Sequence, residues 1–112
     1  MTTRSKARRR PFTVVWAFRV PGRQRRAFEK AYGPDGAWAQ LFRTGEGYIR
    51  TELLRDRETP GRYLTIDHWV SKRAFVKFKK QKRAEYELLD EKCAALTQKE
   101  KIVGEFDGWE PS

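Results

Sequence analysis

Apolar and polar positions alternate with period two through FTVVWAFRV, Phe12 to Val20. Phe12, Val14, Trp16, Phe18 and Val20 share one face, and Thr13, Val15, Ala17 and Arg19 share the other. Both faces are mostly apolar, which predicts a strand inside a sheet rather than at its edge. Pro21 and Gly22 end it. A basic helix follows, with Ala27, Phe28, Ala31 and Tyr32 as its buried stripe and Gly33 and Pro34 as its stop. Asp35 is placed to cap a short second helix that turns Trp38, Leu41 and Phe42 inward at i, i+3, i+4 spacing. After Gly45 and Gly47, the run YIRTELLRDR, Tyr48 to Arg57, predicts a second strand, and Glu58 to Gly61 a turn into a third.

The third strand runs without a loop into a helix. In YLTIDHWVSKRAF, Tyr63 to Phe75, the positions Leu64, Ile66, His68 and Val70 lie on one face, and Tyr63, Thr65, Asp67 and Trp69 on the other. At Ser71 the period becomes helical. The Ser71 hydroxyl is suited to accept a bond from an unpaired N–H of the first turn, with Val70 and Phe75 at the positions of a hydrophobic staple. A longer helix then puts Tyr86, Leu89, Cys93 and Leu96 on one stripe, and KIVGEF, Lys101 to Phe106, closes the chain as a fourth strand. The order β, α, (α), β, β, α, (α), β is the split βαβ arrangement of the ferredoxin-like α+β class: a four-stranded antiparallel sheet with helices on one face. The other face carries large apolar groups and calls for a cover. A second copy of the sheet is the simplest one, so a homodimer is expected.

Composition narrows the class. A chain of 112 residues with four Trp and seven Phe is a single globular domain, expected over residues 12–112 after a basic, mobile arm at residues 1–11. No apolar run approaches the ~18 residues that span a bilayer, and the N-terminus lacks an apolar signal core, so no membrane association and a cytoplasmic location are expected. Cys93, the single cysteine, falls on a helix stripe and reads as core. The net charge of +10 is concentrated: Arg4, Lys6, Arg8, Arg9 and Arg10 supply half of it, and Lys72, Arg73, Lys77, Lys79, Lys80, Lys82 and Arg83 form a second cluster. Such clusters attract polyanions, yet they also solvate a surface, and no nucleic-acid-binding motif accompanies them. Nucleic acid is therefore not the expected partner.

Three segments carry a family resemblance: GYIRTELLRD (Gly47 to Asp56), the W-x-S-x-x-A core at Trp69, Ser71 and Ala74, and the closing E-x-x-x-G-x-F of Glu100, Gly104 and Phe106. The pattern resembles the antibiotic biosynthesis monooxygenase (ABM) domains, small dimeric α+β barrel proteins of the ferredoxin-like class. The resemblance implies a functionally mixed superfamily of cofactor-free quinol or anthrone oxygenases, haem-degrading enzymes and members without known activity. In the haem-degrading relatives a histidine on the helix after the conserved Trp binds iron. Here that helix offers Phe75, Val76, Lys77, Phe78 and Lys79, and the only histidine, His68, precedes it, which disfavours haem. In the cofactor-free oxygenases polar and aromatic side chains line a pocket between sheet and helices, and among those positions Trp69 carries over.

The remaining candidates follow from chemistry. A four-residue loop at Glu58 to Gly61 would pair Arg57 with Arg62, placing Glu52 opposite Asp67 and Arg50 opposite Trp69. Two acids on one face repel, so one is raised in pKa or Arg50 compensates. A slip of one residue would separate them. Asp67 and Glu52 are the candidate bases, with Trp16, Phe18, Tyr32, Trp38, Phe42, Arg50 and Trp69 as the pocket; each ring could equally be plain core, and the acids an ion-paired structural cluster. No metal-ligand spacing, phosphate loop or Ser/His/Asp set is present, so no cofactor is expected and an enzyme would need a substrate that supplies its own electrons to dioxygen. The readings are a cofactor-independent monooxygenase acting on a hydrophobic aromatic substrate, a non-catalytic dimer that binds a small ligand or a partner, and, third, a polyanion binder acting through the arm.

Overall fold

A computed structural model describes residues 10–109, so most of the basic arm lies outside the described residues. The elements are β1 (Phe12–Arg19), α1 (Arg25–Tyr32, entered through a helical turn at Gly22–Gln24), α2 (Ala37–Phe42), β2 (Tyr48–Arg55), β3 (Arg62–Trp69), α3 (Lys72–Gln81), α4 (Arg83–Cys93) and β4 (Lys99–Asp107). The strands form one antiparallel sheet in the order β2-β3-β1-β4. This is the ferredoxin-like α+β architecture that the element order predicts. β1, apolar on both faces, is an inner strand.

Helices cover the face that holds Phe12, Val14, Trp16 and Phe18 of β1 and Tyr63, Thr65, Asp67 and Trp69 of β3. Phe18 packs on Phe28 and Tyr32 of α1 at centroid distances of 5.2 and 5.0 Å. Trp69, fully buried, meets Phe42 of α2 at 5.8 Å, Tyr48 at 5.4 Å, and Phe75 and Phe78 of α3 at 5.5 and 5.2 Å. Burial of each such ring contributes roughly 1.5–3 kcal/mol. Cys93 is buried in the same core. On the opposite face Val15, Ala17, Leu64 and Ile66 are half-buried, while Leu54 and Phe106 are 45% and 49% exposed.

Several local expectations are corrected. Ala27 is exposed, because a helix turns about 100° per residue and the inward stripe is Phe28, Ala31 and Tyr32. The cap of α2 is Gly36, not Asp35. A side chain at Gly36 would lie 2.3 Å from the Lys30 carbonyl oxygen, so only glycine fits there, and the Asp35 carboxylate instead pairs with Arg43 at 2.9 Å. β4 is longer than expected and carries a register irregularity opposite Val15 and Trp16.

The largest correction is the β2–β3 register. Asp56 donates its N–H to the Arg62 carbonyl at 2.9 Å, and its carboxylate accepts from the N–H groups of Glu58 and Thr59 at 2.8 and 3.0 Å and from the Arg62 guanidinium at 3.0 Å. This turn closes on Asp56 and leaves residues 57–61 as the loop, with Gly61 at φ +86°. The register is therefore one residue off the four-residue solution: Thr51, not Glu52, lies opposite Asp67. A second irregularity at Ile49 brings Tyr48, not Arg50, opposite Trp69. Glu52 moves to the outer face beside Ile66.

The strand-to-helix junction forms as the sequence implies. Ser71 is the N-cap of α3, its hydroxyl accepting from the Ala74 N–H at 3.1 Å. Ser71→Ala should destabilise the domain by about 1 kcal/mol and Ser71→Asp by less. Equilibrium urea unfolding, read as a shifted midpoint at constant slope, measures it.

Candidate functional site

The inner face of the sheet reads as four rows. Tyr48, Trp69 and Phe12 form one; Thr51, Asp67, Val14 and Glu105 the next; Leu53, Thr65, Trp16 and Ile102 the third; Arg55, Tyr63, Phe18 and Glu100 the last. Between these rows and the helices lies a cavity of about 280 Å³. Trp16, Phe18, Tyr32, Trp38, Phe42 and Tyr86 supply its rings, Thr51 and Thr65 its hydroxyls, and Asp67, Asp90, Glu100 and Lys79 its charges.

Asp67 is 8% exposed. The Thr51 hydroxyl donates to its Oδ1 at 2.7 Å, and since that proton is committed, the Tyr48 hydroxyl must donate to Thr51 across their 2.8 Å contact. No hydrogen bond among the described residues engages Oδ2. Burial raises the Asp67 pKa to about 6, against a smaller lowering by the Thr51 bond and by the charge of His68. Desolvation therefore outweighs hydrogen bonding. At the other end, burial and then the charges of Asp90, Asp67 and Glu100 push the Tyr86 phenol up to about 12. Glu100 is raised by burial and by Asp90. The Lys79 ammonium lies 4.9 Å from the centre of the Tyr86 ring and 5.5 Å from that of Phe75.

Of the residues singled out from sequence, Trp16, Phe18, Tyr32, Trp38, Phe42 and Asp67 meet at this cavity. Three do not. Trp69 stands behind the wall, edge-on to Phe42. Glu52 and Arg50 lie on the outer face, where Glu52 bonds the His68 ring at 2.7 Å and Arg50 at 3.5 Å, while the other His68 nitrogen meets the Thr13 hydroxyl at 3.3 Å. The pair of facing acids does not form, because the register separates them. Thr51, Thr65, Tyr86, Lys79, Asp90 and Glu100 also line the cavity and were not among the candidate site residues. Asp90 lies one helical turn beyond Tyr86 and could have been found by that spacing; Thr51 was hidden by the register. Within the second basic cluster, Lys72, Lys77 and Arg83 are engaged by Glu105, Glu46 and Glu87. Among the described residues no group of three or more His, Cys, Asp or Glu could hold a metal ion, and no helix is long and apolar enough to cross a membrane.

Set beside known proteins, residues 11–85 match the family model for antibiotic biosynthesis monooxygenase. The chain belongs to this family. The match spans β1 to the start of α4 and leaves β4, with its E-x-x-x-G-x-F segment, outside. Solved structures extend the likeness in fold to nearly the whole chain. A variant of SnoaB, a cofactor-independent oxygenase from Streptomyces nogalater, superposes with a TM-score of 0.68 at 23% identity, covering 90% of this chain and 95% of its own. A candidate antibiotic biosynthesis monooxygenase from Nitrosomonas europaea gives 0.69 at 17% identity, covering 94% and 96%. A protein from Shewanella oneidensis gives 0.65 at 20%, covering 89% and 92%. No curated protein sequence matches the chain.

The raised carboxyl also bears on stability. Asp67 binds its proton more tightly folded than unfolded, so its contribution favours the fold at low pH and is lost as pH rises from about 4 through about 6. Asp67→Asn removes that loss while keeping an acceptor for Thr51. At pH 7.5 the variant should be the more stable, by up to roughly 3 kcal/mol, and the advantage should vanish below about pH 4. Urea unfolding of both proteins across that range measures it.

Proposed function

We propose that this family member is a cofactor-independent oxygenase acting on a hydrophobic aromatic substrate of the quinol or anthrone kind, with Asp67 as general base. One observation carries the reading: a buried carboxylate, raised to about 6, faces an aromatic cavity with one oxygen held by Thr51 and the other without a hydrogen bond among the described residues. A base is most effective when its pKa lies near the working pH. The likeness in fold to SnoaB, itself a cofactor-independent oxygenase, supports the same class.

The chemistry balances without an added reductant. Asp67 takes a proton from a phenol or from a ring methylene made acidic by its neighbours, and the resulting anion gives electrons to dioxygen. For a methylene substrate, two C–H bonds are replaced by a carbonyl; one oxygen atom enters the product and the other leaves as water. The rings of Trp16, Phe18, Trp38 and Phe42 exclude water and orient the substrate plane. Oxygen consumption by the protein with a panel of quinols and anthrones tests the proposal. Asp67→Asn should lose at least about 100-fold in turnover, and equal turnover by the variant overturns the role of Asp67.

A second reading has its own support. The cavity lies at the lower edge of the roughly 300–1,000 Å³ typical of small-molecule sites, which suits a non-catalytic module that holds a small ligand. Saturable binding of these aromatics without oxygen uptake would favour it.

Either reading is served by a homodimer. Contiguous apolar patches beyond a few hundred Å² are rare on monomers, and the outer face presents Val15, Ala17, Leu54, Leu64, Ile66 and Phe106 around the Thr13–His68–Glu52 contacts. Sedimentation at micromolar concentration should give the dimer mass, and Leu54→Asp should shift it towards monomer. A wild-type monomer under those conditions refutes the pairing.

A further inference from the structure

The proposed chemistry assigns one of the four charged groups around the cavity, Asp67. The rim acids Asp90 and Glu100 point to a property of the ligand. We infer that the cavity selects an aromatic ligand that carries a positive charge, such as a protonated amine, with its ring system among Trp16, Phe18 and Trp38 and its cation beside Tyr86, Asp90 and Glu100. This preference rests on reading the cavity as a substrate site, and it narrows the substrate class.

Three observations combine. The walls hold three carboxylates against a single ammonium, and among the described residues none of Asp67, Asp90 and Glu100 is in an ion pair. The only hydrogen bond to the Glu100 side chain there is a long one, 3.5 Å from the Thr97 hydroxyl. The carboxylates are close enough to perturb a common neighbour: Asp90, Asp67 and Glu100 all hold the Tyr86 proton on, and Asp90 does the same for Glu100. Three carboxylates against one ammonium leave an excess of negative charge, which a bound cation relieves. The lining also supplies what a cation needs besides carboxylates. The Lys79 ammonium already occupies a face of Tyr86 at 4.9 Å, and the five other rings of the cavity carry no cation among the described residues, so their faces remain for a ligand's charge.

The field of the whole protein acts in the opposite sense. With a net charge of +10 the chain attracts anions from a distance, though salt screens that attraction beyond about 8 Å. A preference for cations would therefore be a property of the cavity. It also separates the neutral quinol or anthrone skeleton from one bearing a basic substituent: the first would gain only the rings, the second the rings and the acidic rim.

The test is a matched set on one skeleton: 1-naphthylmethylamine, 1-naphthalenemethanol and 1-naphthoate, titrated into the full chain at pH 7.5 by calorimetry. The amine should bind about tenfold or more tighter than the alcohol, and the carboxylate weakest. Glu100→Gln and Asp90→Asn, both at exposed rim positions, should each weaken binding of the amine several-fold and so reduce its preference over the alcohol. Glu91→Gln, exposed on α4 away from the cavity, should alter nothing. Equal binding of amine and alcohol, a preference for the carboxylate, no response to either rim variant, or no binding of any probe at millimolar concentration would each overturn the inference. Oxygen uptake is recorded separately. A cation preference without turnover sinks the oxygenase and leaves the ligand class standing, whereas turnover of neutral substrates with no cation preference does the reverse.

Discussion

The packing of Trp69 is the constraint from which the rest of the structure follows. Its indole is fully buried at the last position of β3, against Phe42 of α2, Tyr48 of β2, and Phe75 and Phe78 of α3. Four elements are thus fixed relative to one another by one side chain. The ring has little freedom to shift, since close-packed interiors leave few voids. Two residues earlier on the same face, Asp67 inherits that position. Gly47, at φ +93°, lets β2 start tight against the junction, where its carbonyl accepts from the Val70 N–H at 2.8 Å and a Cβ would lie 2.7 Å from that of Ala74. The entry of β2 and the exit of β3 are locked together, and Thr51 is delivered to Asp67.

At Asp67 two effects of opposite sign compete. The Thr51 hydroxyl favours the carboxylate, and hydrogen bonds to charged groups are worth about 1.5–3 kcal/mol. Removing a carboxylate from water costs several kcal/mol even after relaxation. The balance falls to desolvation, and the group titrates near 6 rather than below 4. Tyr48 strengthens the minority effect by fixing the Thr51 hydroxyl as a donor toward Asp67. Without that bond the hydroxyl could rotate and leave Oδ1 bare. The aromatic wall and the hydroxyl pair therefore set one number between them: the rings lift it and the hydroxyls limit the lift.

The sequence made the fold legible because each element carried a distinct period and its own stop signals. The alternation in Phe12 to Val20 and in Tyr63 to Trp69 assigned the faces correctly, and Ser71 marked the change to helix. The rings of the cavity were legible for the same reason: Trp38 and Phe42 sit at helical spacing, and Trp16 and Phe18 lie on one strand face. The partner of Asp67 was not legible. Strand pairing depends on where a turn closes, and Asp56 closed it by binding the Glu58 and Thr59 N–H groups and the Arg62 guanidinium at once. A loop counted by length alone misses that choice by one residue, and one residue exchanges Glu52 for Thr51. The acids at the rim were hidden differently. Asp90 looks like an ordinary surface charge and Glu100 like one position of a closing-strand pattern until the tertiary fold turns both toward the same cavity.

The alternation of β3 also explains why two titratable neighbours have separate surroundings. Asp67 and His68 are adjacent in the chain, yet one faces the rings and the other faces Thr13 and Glu52 on the outer side. Covalent adjacency keeps them close enough for the charge of His68 to lower the Asp67 pKa. The inner residue answers to desolvation by the helices and the outer one to Thr13 and Glu52, and the charge of His68 still reaches Asp67 across the strand. A register slip would abolish that division, since it would bring Glu52 to the inner face and leave His68 without its carboxylate partner. The turn at Asp56 thus governs both surfaces at a distance, by deciding which side of the sheet each β2 residue occupies.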